Sequence, residues 1–96
     1  MKVENMTSSR GNKVANQFIV NCDDTKYYAE YLQSYNSVIA KKMTCRDGGK
    51  TYIILDRDKW DYSRTTSKYR NIFLGESKKE TEKKIKSGEY VLADLN

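Results

Sequence analysis

Asp47-Gly48-Gly49 stands between two stretches, Val38–Cys45 and Lys50–Leu55, that are rich in β-branched and apolar residues. Glycine reaches positive φ without steric cost, which a tight reversal of the chain demands. The combination predicts an antiparallel hairpin and a fold organised around a sheet. Within the second stretch Tyr52 and Ile54 point one way, Ile53 and Leu55 the other. Both faces are apolar, so this strand is expected inside the sheet rather than at its edge.

The flanking segments extend the pattern. Ala15–Cys22 alternates Phe18, Val20 and Cys22 with Gln17, Ile19 and Asn21, which is strand periodicity. Asp23-Asp24-Thr25 then reads as a polar turn. Lys26–Tyr35 fits two structures. Tyr27, Tyr28, Tyr31, Leu32 and Tyr35 follow the spacing of a helix face, whereas aromatic enrichment after a short turn favours a strand, and strand is the reading taken for Tyr31–Tyr35. Asn36-Ser37 reads as a bend or bulge before Val38.

Helical signals begin after the hairpin. Thr65 or Thr66 can cap a helix to Leu74 that turns Tyr69, Ile72 and Phe73 to the sheet, with Gly75 as its stop. Ser77-Lys78-Lys79-Glu80 is a capping box, in which each side chain satisfies the other's free amide. It opens a second helix with Thr81 and Ile85 as its inward residues, closed by Gly88. Tyr90–Leu95 supplies a last strand. The expected fold is therefore α+β: a small antiparallel β-sheet of four or five strands with two short helices between the penultimate and last strands. Polar residues 1–12 read as a flexible N-terminal arm, and residues 13–96 as one domain.

Composition narrows the chemistry. The 96 residues include no histidine, which removes Ser-His and Cys-His nucleophiles and histidine-ligated metals. Cys22 and Cys45 form no C-x-x-C pair, and they could be bridged only if their strands were neighbours. Asp56, Asp58 and Asp61 invite a calcium loop, but its sixth position is Asp61 where glycine is required and its twelfth is Ser67 where glutamate is required. No cofactor, no metal and no catalytic residue is expected, and the chain is read as a non-enzyme. Residues 1–12 lack the apolar stretch of a signal sequence, and no run approaches the length of a membrane span. A cytoplasmic site of action in a bacterial host is the expectation.

Net charge is +5, a basic bias that suits acidic or polyanionic partners. It is densest between Arg57 and Arg70, where five cations stand against Asp58 and Asp61 with Trp60, Tyr62 and Tyr69 among them. Arg57, Lys59, Trp60, Tyr62, Arg64, Lys68 and Arg70 are the candidate partner-binding residues. Cations with rings suit a protein hot spot, and equally phosphates with stacked bases, so RNA or DNA contact through this basic patch stays open. The plain alternative is that Trp60 and Tyr69 anchor the segment while its charges are solvated.

Ser9–Phe18, Leu32–Ala40, Trp60-Asp-Tyr-Ser-Arg-Thr-Thr-Ser-Lys-Tyr-Arg-Asn71 and Phe73-Leu-Gly-Glu76 resemble a group of short proteins of phages and mobile elements of Gram-positive bacteria. The resemblance implies a phage origin and supplies no catalytic residues. Proteins of such origin often inhibit host defence, anti-CRISPR proteins among them, so it implies a host defence protein or ribonucleoprotein as partner. Many such inhibitors are acidic imitators of DNA, and this chain's positive charge argues against that route.

Overall fold

The computed structural model describes residues 1–23 and 25–96, so Asp24 of the expected turn lies outside the described residues. The chain runs β1 (Lys2–Thr7), β2 (Lys13–Asp23), β3 (Tyr27–Ser34), β4 (Ser37–Cys45), β5 (Thr51–Asp56), α1 (Arg64–Leu74), α2 (Lys78–Ser87) and β6 (Val91–Ala93). The strands form one six-stranded sheet in chain order. The α+β architecture is as expected, with more strands than the four or five read from sequence.

Two differences in the sheet have physical causes. The segment read as a loose arm forms β1, whose Val3 pairs Val20 and whose Asn5 pairs Phe18. Strand pairing supplies the backbone partners that its polar residues gave no hint of. The last strand, in turn, joins parallel to β5 rather than antiparallel. Two helices separate β5 from β6, and a crossover of that length is what lets the chain return in the same direction.

Local signals are otherwise followed closely. Lys26–Tyr35 resolves as strand, and Tyr35 leaves it at φ 56 to open the turn into β4. The β4–β5 hairpin turns through Gly48 and Gly49, at φ 88 and 66. Thr44 and Thr51 face each other at the end next to the turn, hydroxyl to hydroxyl at 3.0 Å. A bulge shifts the β3–β4 register between Leu32 and Gln33 and turns Ile39 inward beside Ala40. Cys22 and Cys45 lie on β2 and β4 with β3 between them, and both thiols are free.

Both helices lie over one face of the sheet. Leu32, Ala40 and Leu55 form its fully buried floor, and Tyr69, Phe73 and Tyr90 close over them. The α1 cap is Ser63, two or three residues earlier than expected, whose hydroxyl accepts from the Thr66 amide at 3.1 Å. The face that packs on the sheet also differs from the expected one: Thr66, Tyr69, Arg70 and Phe73 point inward, and Ile72 stands 54% exposed. Thr66 instead meets Ser34 at 3.0 Å, and Ser34 accepts from Gln17 at 2.9 Å, a polar thread through the core. The expected capping box opens α2, and Thr81 is its buried residue.

Candidate functional site

The connection from β5 to α1 carries the candidate residues, and its conformation is set by carboxylates. Asp56 ends β5 buried and accepts from the amides of Lys59 at 2.9 Å and Leu95 at 2.8 Å. Burial raises its carboxyl, but the bonds from Leu95, Asn96, Asp58 and Lys59 outweigh that and hold it below the usual range. It is a structural pin for the turn. Among the described residues no three acidic or cysteine side chains gather.

Asp61 organises the next step. It accepts from Arg70 at 2.9 Å, Ser67 at 2.6 Å and Lys78 at 2.7 Å. Arg70 is fully buried, with its guanidinium also donating to the Trp60 carbonyl at 2.7 Å and to Asn71 at 2.9 Å. Its charge centre sits 5.0 Å from the Trp60 ring, a cation–π contact. Trp60 itself is half-buried against the core.

This corrects the expected surface. Arg70 is not available to a partner, and much of Trp60 is spent on packing. A buried arginine needs a counter-ion and hydrogen-bond acceptors. Asp61 provides the counter-ion, both terminal nitrogens are bonded, and Nε alone has no partner among the described residues. Of the seven candidates, Arg57, Tyr62, Arg64 and Lys68 are exposed and Lys59 is half-buried with its ammonium 5.1 Å from the Tyr62 ring.

Three of these meet in one place. Tyr62, Arg64 and Lys68 line an open depression of about 840 Å³ together with Asp61, Asn71, Ile72 and Lys78. Tyr62 is 45% exposed and Ile72 offers apolar surface beside it. Arg64, Lys68 and Ile72 share one stripe because they follow at four-residue intervals on α1. Arg57 and Lys59 do not line the depression. Ile72 and Lys78 were missed from sequence: helical spacing admits Ile72 or Arg70 beside Tyr69 and Phe73 on the inward face, and no local signal ties Lys78 to Asp61.

Asp61 makes this surface acid-sensitive. Burial raises its carboxyl, but the hydrogen bonds from Lys78, Ser67 and Arg70 prevail and bring it down to about 2. A carboxylate depressed in the folded state stabilises above its unfolded pKa, and that stabilisation is lost as pH falls towards the folded value. Urea midpoints should therefore drop between pH 4 and pH 2 by an amount equivalent to about 2 kcal/mol from this group. The Asp61→Asn variant, measured in the same buffers, should lack that share of the acid slope; an unchanged slope would refute the assignment.

No helix among the described residues is long and apolar enough to cross a membrane. A family model described as a family of unknown function, DUF8033, matches residues 1–89. No curated protein and no solved structure matches the chain.

Proposed function

The chain belongs to the DUF8033 family, and we propose that it is a non-catalytic binding protein of a phage or mobile element. In this reading it works in the host cytoplasm, and its target is a host defence protein or ribonucleoprotein that it inhibits by occupying a surface. The observation that carries the binding reading is the patch on the loop and α1: Tyr62, Arg64, Lys68 and Ile72 exposed around one open depression. Tyrosine and arginine beside an apolar residue are the side chains that dominate protein–protein hot spots. The resemblance of the sequence to short phage proteins supports the choice of target.

Rigidity adds to the case. Arg70 fastens the loop to the helix through Trp60 and Asp61, so the exposed side chains stand on a fixed base and binding need not order the backbone beneath them. Protein is favoured over nucleic acid at this patch because Arg70 is internal and the Asp61 carboxylate lines the depression among the remaining cations.

A pulldown from host lysate with nuclease treatment tests this directly. The wild-type chain should retain a protein through nuclease digestion, and Arg64→Glu with Lys68→Glu should lose it at least tenfold at unchanged thermal stability. A partner that survives those substitutions, or that nuclease removes, would defeat the proposal.

A further inference from the structure

The helices cover one face of the sheet, and among the described residues no element packs on the other. Directly opposed residues share a face, so the register names what the open side carries. One row crosses all six strands: Val3, Val20, Tyr31, Lys41, Ile54, Val91. A second runs Cys22, Ala29, Met43, Tyr52, and a third Asn5, Phe18, Gln33, Val38. Apart from Ala29, which is itself buried, none of these apolar side chains belongs to the buried core or packs against it. Val3, Tyr52 and Val91 are 55%, 42% and 54% exposed. A contiguous apolar sheet face of this extent marks an interaction site.

Its charges indicate the occupant. The three rows hold one charged residue, Lys41, whose ammonium lies 5.3 Å from the Tyr31 ring. Lys50, two residues from Tyr52, sits 5.3 Å from that ring. No carboxylate occurs in the rows, and Asp23 at the rim is paired with Arg46 at 3.0 Å. Between Tyr27, Tyr31, Met43 and Lys41, over the small side chain of Ala29, lies a depression of about 200 Å³, which Cys22 and the Arg46-paired Asp23 complete at its edge. A second copy stacked on this face would bury Lys41 in an apolar layer with no acid opposite, a costly desolvation. An anionic ligand with flat rings meets both features at once.

We propose that the open face of the sheet binds single-stranded nucleic acid. Bases lie against Tyr31, Tyr52 and Phe18, one of them over Ala29, and Lys41 and Lys50 meet the phosphates. Every base has a stacking face, so binding is tolerant of sequence. This surface is on the opposite side of the sheet from the depression on α1 and does not depend on the protein-binding reading of that patch.

Fluorescence anisotropy with labelled oligo-dT and oligo-U of 20 nucleotides tests it, with the full chain at 50 and 200 mM salt. Binding should weaken with salt at a logarithmic slope of about 1.4, for roughly two phosphate contacts. Lys41→Glu and Lys50→Glu, the latter at an exposed position, should each lower affinity about tenfold, and Tyr52→Ala about tenfold through lost stacking. Arg64→Glu with Lys68→Glu should leave it unchanged, which separates this surface from the α1 patch. The proposal is overturned by an absence of binding at 50 mM salt, by binding that Lys41→Glu and Lys50→Glu leave intact, or by a dimer in sedimentation that Tyr52→Glu dissociates.

Discussion

Replacing Asp61 with alanine should cost the fold about 3–5 kcal/mol, because it strands the fully buried charge of Arg70. The guanidinium cannot reach water, and its remaining acceptors, the Trp60 carbonyl, Asn71 Oδ1 and the more distant Ser67 hydroxyl, are neutral. In a domain of this size that is a fall of roughly 15–30 °C in Tm. Arg70→Met should be milder, at about 1–2 kcal/mol. It removes the charge together with its desolvation cost and leaves Asp61, 24% exposed, still paired with Lys78. The double variant should resemble Arg70→Met alone, since the penalty of the first substitution exists only while the arginine is present. Urea unfolding of the three variants decides the matter. An Asp61→Ala protein within about 1 kcal/mol of wild type would show that water reaches the guanidinium and that the loop is not fixed as described.

Glu76→Ala should cost about 2–4 kcal/mol and should loosen one end of the molecule before the other. The carboxylate, almost wholly buried, accepts from the Tyr90 hydroxyl at 2.5 Å, Thr81 at 2.7 Å and Lys84 at 2.9 Å. One side chain thereby ties the α1–α2 junction to the first turns of α2 and the entry to β6. Burial and the neighbouring Glu76 push the Tyr90 hydroxyl up to about 12, so it remains a donor at every physiological pH. The Glu76 hydrogen bond raises Lys84 against the opposing effect of burial, so the ammonium remains charged as well. Glu76→Gln should recover about half of the loss, because an amide oxygen still accepts from Tyr90. Hydrogen exchange should quicken first in α2 and β6, leaving the β2–β4 amides protected. Uniform acceleration across the sheet would mean that this network does not hold a separable corner.

The two variants also show where local reading stops. The capping box at Ser77 and Glu80 was legible because both partners lie within one turn and meet whenever a helix forms there. Arg70 is the opposite case. On an isolated helix it reads as a solvated cation, and its burial depends on Asp61 and the Trp60 carbonyl arriving from a loop across the helix axis. The candidate surface was therefore legible in part: Tyr62, Arg64 and Lys68 converge, Arg70 is internal, and Ile72 replaces it as an exposed contributor. In β5 the apolar character of both faces correctly predicted an inner strand, yet only one of those faces is packed by helices.

By itself the sequence determined the elements whose causes are local: the reversal at Gly48 and Gly49, the period-two strands, the glycine stops at Gly75 and Gly88, and the capped second helix. Each rests on backbone φ or on hydrogen bonds between near neighbours, which the residues specify wherever the rest of the chain lies. Tertiary structure alone decided that residues 2–7 join the sheet, that the last strand runs parallel, that Arg70 goes inside, and which face of the sheet stays bare. Those outcomes depend on where two helices come to rest after a long connection. Alternating apolar residues mark two faces of a strand but carry no information about which face the helices will cover.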